Sequence, residues 1–367
     1  MSRLIALLAF GLTVIHVHAD PVRTLLTIEP SKEFPRSSEA DLIELRDGRL
    51  LLVYSRFYGG TADGAAAQLV GRTSGDDGNT GSADRVGLEN EGEMNVLSSN
   101  LIRLPDGELL LFYLRKNGWG DCHVYVRSLS DDLDTLGEPV RVSSATGYHV
   151  LNNDRVIQLK SGRLVVPTSL HLCPDGTQSS WTKFGIPVVY YSDDNGMTWR
   201  YVEREFTPPD KAGVLLQEPG VLELLDGRLW MWMRTDSGSQ FEMFSTDGGV
   251  SWTEPKASVI ASPRSPASIE RVPWSNELLC VWNDHSGWHA YPKGKRTPLC
   301  IATSADEGKT WTKSRVIEGD PDGWYCYTSI SFVKEQTILS YCAGDSKVGG
   351  LNRMKVVALS KQWLSGN

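Results

Sequence analysis

Past its first seventeen residues the chain has no long hydrophobic run, and nowhere does it carry a block of basic residues or a Cys-x-x-Cys pair. The first absence excludes a membrane-spanning helix from the body of the protein. The second, with a formal net charge of -8, disfavours nucleic acid as a partner. The third removes the usual thiolate metal motif. His123, His171 and His289 also stand at no metal-ligand spacing, so neither a catalytic metal nor another cofactor is expected. Helical periodicity is nearly absent too, which points to an all-β chain.

The N-terminus reads as a signal peptide. Arg3 supplies the positive start, Leu4 to Val17 the apolar run, and Val17-His-Ala19 a small-residue cleavage site. Residues 20–367 are then expected as one exported, soluble domain, since no Pro- or Ser-rich linker divides them; an uncleaved anchor is the alternative. Six cysteines accompany export, at positions 122, 173, 280, 300, 326 and 342, and an even count permits disulfides. Cys280, Cys300 and Cys342 lie in apolar runs where a free buried thiol is equally compatible, so no pairing follows.

Two repeats organise the chain. The first is a turn, Ser-x-Asp-x-Gly-x-Thr-Trp, seen as Ser192-Asp-Asp194-Asn-Gly196-Met-Thr198-Trp199. It returns at Ser245 to Trp252 and at Ser304 to Trp311, and at Ser74 to Thr80 with Gly81 in place of Trp. Ser and Asp close the turn by bonding nearby backbone, and Gly permits positive φ. Four copies of one turn cannot all be one active site, so these aspartates are structural; nor does any copy supply the oxygen run of a calcium loop. The second repeat is a turn feeding a short apolar strand, as in Asp47-Gly-Arg-Leu-Leu-Leu-Val-Tyr54. Copies begin at Asp106, Ser161, Asp226, Ser275 and Glu335, at intervals of 49 to 65 residues. Radial repetition follows, and a six-bladed β-propeller with about four strands per blade is the expected architecture. A β-sandwich leaves the repeat unexplained.

The first repeat resembles the Asp-box, or BNR repeat, of the sialidase superfamily. That resemblance implies a carboxylate clamp of three arginines from separate blades, and Arg36, Arg234 and Arg296 occupy matching places. Glu218 precedes Arg234 by sixteen residues, which suits the family's base, and Tyr327 suits its nucleophile, with Tyr325 as the competing choice. Asp63 matches the acid/base residue and Arg56 the arginine beside it. One departure stands out: many sialidases carry Phe/Tyr-Arg-Ile-Pro around the first clamp arginine, whereas this chain reads Phe34-Pro-Arg-Ser-Ser-Glu39.

The implied activity is removal of a terminal sialic acid or related acidic sugar from a glycan or sialoglycoconjugate. The alternatives are a glycosidase for another sugar and a carbohydrate-binding propeller without catalysis. Two further polar groups, His149 to Arg155 and Asn283 to Ser286, are candidates for reading sugar hydroxyls at the rim or for turn chemistry. Trp288 and Tyr291 are candidates for stacking on a sugar face. Oligomeric state has no signature in the sequence.

Overall fold

Strand follows turn throughout the computed structural model, which describes residues 22–202 and 213–365. The expected signal peptide at 1–19 lies outside the described residues. Two single-turn helices, Gln178–Ser180 and Lys361–Leu364, are the only helical elements among the described residues; none is long and apolar enough to cross a membrane.

Among the described residues the strands form five sheets, most of them four-stranded antiparallel meanders. One comprises Arg36–Glu44, Leu50–Phe57, Ala67–Ser74 and Arg85–Leu88; two more comprise Gln217–Glu223 through Lys256–Ala261 and Ser268–Arg271 through Arg315–Glu318. A nine-stranded sheet spans Asn95–Arg103 to Arg200–Tyr201. Within it, the parallel pairing of Gly147–Val150 with Asp121–Ser128 joins two meanders. The last sheet contains Trp324–Val333, Gln336–Gly344 and Met354–Ser360, and its outer strand is Val22–Ile28, paired from Val22↔Leu359 to Ile28↔Met354.

Each apolar strand of the second sequence repeat is the second strand of its meander. These strands are covered on both faces, which is why they read as unbroken apolar runs rather than alternating ones: Leu229, Trp230, Met231, Trp232 and Met233 are all buried. The turn before each strand holds a left-handed residue, Gly48 at φ 83° and Gly227 at φ 84° being examples. In the fifth copy Asn276 takes that role at φ 60°, and in the sixth Lys334 does, at φ 55°. The sixth turn is therefore a tight Val333↔Gln336 hairpin lying two residues earlier than the sequence alignment places it.

The first strands of the meanders are tied to one another by side chains. Asn153 Nδ2 donates to Ala40 O at 2.7 Å and to Tyr327 O at 3.1 Å. Asn100 Nδ2 donates to Asn152 O at 3.0 Å, and Ser268 Oγ to Thr328 O at 2.6 Å. Bonds between residues this far apart in sequence gather the first strands around a common centre.

The Asp-box turns repeat one hydrogen-bond set. In the second copy Ser192 Oγ donates to Asp194 Oδ1 at 2.7 Å and accepts from Gly196 N at 2.9 Å. Asp194 then accepts from Thr198 N at 2.8 Å and Thr198 Oγ1 at 2.5 Å. Asp76, Asp247 and Asp306 accept equivalent bonds. Trp199 and Trp252 each donate their indole N–H to the turn glycine's carbonyl at 3.0 Å. The bond from the Thr198 hydroxyl, with those from Thr198 N and Ser192, holds the Asp194 carboxyl down at about 2.

A depressed carboxyl stabilises the fold above its ordinary value of about 4, and the contribution is lost as pH falls toward about 2. Asp194→Ala is expected to lower Tm at pH 7 by roughly 2 °C. The difference from the parent should shrink as melts are repeated from pH 4 down to pH 2; a pH-independent difference would contradict this account of the turn.

Candidate functional site

Four first strands, and the bend that follows a fifth, share a backbone irregularity that positions their side chains. Glu39, Ser98, Asp154, Glu218 and Tyr327 all adopt left-handed φ values between 52° and 59°. For four of them the strand register breaks at the same place, between Ser38/Asp41, Leu97/Asn100, Gln217/Gly220 and Cys326/Ser329. Such a bulge re-aims a side chain out of the pleat. Here it brings Glu218 and Tyr327 into contact although they are 109 residues apart. Gly220 completes the local geometry: a Cβ there would lie 2.3 Å from the Trp232 indole, so only glycine lets the Glu218 strand pack on that ring.

Tyr327 Oη donates to Glu218 Oε1 at 3.1 Å, and Arg234 Nη1 donates to the same oxygen. Burial opposes charge on Glu218, but Arg234 and Arg296 outweigh it and hold the carboxyl below its ordinary range. Burial, reinforced by Glu218, pushes the Tyr327 phenol up. The result is a neutral phenol bonded to an ionised carboxylate. Arg296 is buried with its guanidinium 5.3 Å from the Trp324 ring centre and 5.5 Å from that of Tyr327. Its Nε and Nη1, the Nε of Arg234 and the Oε2 of Glu218 have no hydrogen-bond partner. A cleft of about 440 Å³ reaches Arg296 and Trp324.

A second group lies beside the first. Arg36, only 1% exposed, donates to Ser38 Oγ at 3.1 Å, Thr61 O at 3.2 Å and Asp63 Oδ1 at 2.6 Å, and it faces Glu39 at 3.7 Å. It is therefore occupied where Arg234 and Arg296 have donors to spare. The Asp63 side chain is 63% exposed, which leaves it open to water. Desolvation raises its carboxyl, but Arg36 outweighs that effect and keeps it below the usual range. The fields of the two groups overlap, since Arg234 acts on Asp63, and Asp63 and Glu218 both act on Glu39. Arg56 is turned elsewhere: it pairs with Asp84 at 3.1 Å and lies 4.0 Å from the centre of the Phe34 ring. Tyr325 packs in the apolar cluster with Leu279 and Tyr341 rather than against Glu218.

Several residues of the site carried no readable signal. Asn95 Nδ2 anchors the Asp63 loop, donating to Asp63 O at 2.9 Å and Ala65 O at 2.8 Å. Lys116, fully buried over the Trp119 and Tyr148 rings, donates to Asp63 O at 3.2 Å. Cys326 lies opposite Cys342 on the neighbouring strand, and Cys342 and the Arg296 charge bring its thiol down to about 7 against the effect of burial. Arg264 is exposed within the field of Arg234 and Arg296. All six cysteines are free thiols. The two proposed sugar-reading groups are largely internal: His149 bonds Tyr190 Oη and Cys122 O, while Asn152, Asn153, Asn283 and Asp284 are buried. Trp288 and Tyr291 are exposed.

Residues 83–339 match the family described as BNR repeat-like domain. A sialidase from Micromonospora viridifaciens is 30% identical over 164 residues, covering 41% of this chain and 22% of that protein. The chain thus spans less than a quarter of that relative's length. A protein of unknown function from Dyadobacter fermentans superposes with a TM-score of 0.70 at 17% identity, covering 93% of this chain and 100% of that one. The leech intramolecular trans-sialidase complexed with 2,7-anhydro-Neu5Ac superposes with a TM-score of 0.70 at 14% identity, covering 92% of this chain and 70% of that one. At these identities the two structures share the fold.

Burial pushes the Glu39 carboxyl up to about 7 although Arg36 pulls it down. Between the ordinary Glu range and pH 7 the unfolded chain ionises at this position while the folded chain does not, so stability is lost as pH rises through that window. Glu39→Gln is expected to match the parent's Tm near pH 4 and exceed it by roughly 1–3 °C at pH 8, read by thermal melts across that range. A variant less stable than the parent at pH 8 would mean that Glu39 instead serves Arg36 as a stabilising charged partner.

Proposed function

This chain belongs to the BNR repeat-like domain family and has the sialidase fold, and we propose that it is an exported exo-glycosidase that removes a terminal sialic acid or a related acidic sugar. We read the fold as a six-bladed propeller, with the nine-stranded sheet counted as two blades divided at its parallel pair. The observation that carries the functional reading is the Tyr327–Glu218 pair, set between two buried arginines with unused donors. Buried guanidinium N–H groups without acceptors are costly, and a carboxylate satisfies them bidentately.

In this reading Tyr327 Oη attacks the anomeric carbon and Glu218 takes its proton. A neutral phenol avoids the repulsion that a carboxylate nucleophile would meet at a carbon already bearing a carboxylate, and a tyrosine nucleophile is the known exception among retaining glycosidases. The leaving oxygen takes a proton from Asp63. Water, deprotonated by Asp63, then releases the sugar while the phenol recovers its proton from Glu218. Asp63 must be protonated for the first step, yet Arg36 holds it ionised in the free protein. A substrate carboxylate drawing on Arg36 competes with Asp63, raising its proton affinity when the acid is needed. Arg56, engaged with Asp84, supports the wall of the acid/base loop rather than the clamp.

The purified protein is expected to hydrolyse a fluorogenic sialoside. Tyr327→Phe and Asp63→Asn should each lower kcat/KM by about 10²–10⁴-fold, with circular dichroism unchanged. Full activity in Tyr327→Phe would remove Tyr327 as nucleophile. A parent that binds acidic sugars but cleaves no member of a glycoside panel would be a carbohydrate-binding propeller instead.

A further inference from the structure

Outside this site, a cluster among the described residues joins metal-capable side chains from separate segments. The chain between the strands Leu278–Asn283 and Leu299–Ser304 runs through residues 284–298 without strand or helix. Loops of that length inside a compact domain are uncommon and usually functional. This one delivers Arg296 at its far end. Asp284 opens it, His289 sits within it, and Cys300 lies just beyond it. One ligand-capable atom from each lies within 4.8 Å of the others. Asp284 and Cys300 are buried, as is Ser314 from the approach to the next strand. Ser314 Oγ donates to Asp284 Oδ2 and bonds His289 Nε2 at 2.9 Å.

We propose that Asp284, His289 and Cys300 bind a divalent transition-metal ion of zinc's class, with the Ser314 hydroxyl oxygen as the fourth ligand. One thiolate and one imidazole exclude magnesium and calcium, which take all-oxygen shells, and suit zinc or cobalt in four-coordination. Bonds of about 2.0–2.3 Å need only a modest closing of the present separations. Binding exchanges the Cys300 thiol proton for the metal and releases that proton to solvent. A pocket of about 210 Å³ lined by Asp284, Ser286, Trp288, Trp311 and Ser314 gives the ion a way in.

The ion's task is structural. Its ligands stand at the start, the middle and just past the end of one loop. They reinforce weaker ties already there, His285 Nε2 to Thr297 O at 3.1 Å and Asn283 Nδ2 to Pro298 O at 3.2 Å. The sequence hid the cluster because its donors are spaced irregularly and one is an aspartate; only the pairing of Leu278–Asn283 with Leu299–Ser304 brings Asp284 to Cys300.

The test uses the full chain, stripped with EDTA and titrated with cobalt(II) alone, and it does not depend on glycosidase activity. One cobalt per chain is expected, with a near-ultraviolet thiolate-to-cobalt band and strong four-coordinate visible bands, all displaced by one equivalent of zinc. Cys300→Ser should abolish the thiolate band, Cys173→Ser should leave it intact, and His289→Gln, a change in the loop rather than in a strand, should weaken cobalt binding at least about tenfold. Failure to bind one cobalt, a thiolate band that survives Cys300→Ser, or undiminished binding by His289→Gln would each overturn the proposal. If Cys300→Ser does not fold, the His289→Gln titration decides.

Discussion

The architecture depends on a backbone conformation that most side chains avoid. Left-handed φ costs a non-glycine residue roughly 1–2 kcal/mol, yet it recurs at Glu39, Ser98, Asp154, Glu218 and Tyr327. The bulges at Glu39 and Tyr327 take peptide groups out of the sheet ladder, and side chains from elsewhere meet them: Asn153 serves the carbonyls of Ala40 and Tyr327, Ser268 that of Thr328, and Asp154 the amide of Ile330. The strain is therefore held by a ring of neighbours rather than by any single sheet. What it secures is direction, because an unbroken pleat would not turn Glu218 and Tyr327 toward each other.

The second constraint is charge. The chain is acidic overall, but its centre gathers Arg36, Lys116, Arg234 and Arg296 in burial. Their acceptors are rationed unevenly. Arg36 has Ser38, Thr61, Asp63 and Glu39, while Arg234 and Arg296 keep N–H groups unspent. That inequality leaves Arg36 holding Asp63 below the usual carboxylate range while Arg234 and Arg296 keep N–H groups without acceptors.

Much of this was legible from the chain alone, for physical reasons. A turn that closes on its own side chains writes the same letters each time, so the Asp-boxes and strand turns could be read directly. The sixth strand turn slipped by two residues because Lys334 adopts the left-handed conformation without the glycine that marks it elsewhere. Glu218 and Tyr327 were implied by the resemblance to the sialidase superfamily, while Arg234 could be named because it ends a repeated strand. Glu39, Asn95 and Lys116 could not, since they act through contacts with Arg36 or the Asp63 loop that only the assembled sheets create. The resemblance implied Arg56 beside Asp63, and in the structure Arg56 pairs with Asp84. The metal-capable trio was invisible for the same reason as Glu39.

The strand Val22–Ile28 completes the sheet that contains Tyr327, pairing with Met354–Ser360 across nearly the whole length of the chain. During synthesis, then, Tyr327 leaves the ribosome before its sheet can be sealed. The seal waits for the segment around Leu359, and until that segment arrives the early strand Val22–Ile28 has no edge to join. The phenol–carboxylate pair consequently assembles late, in a sheet whose outer strands come from opposite ends of the described residues. Strand order alone thus sets when the pair can be held in place.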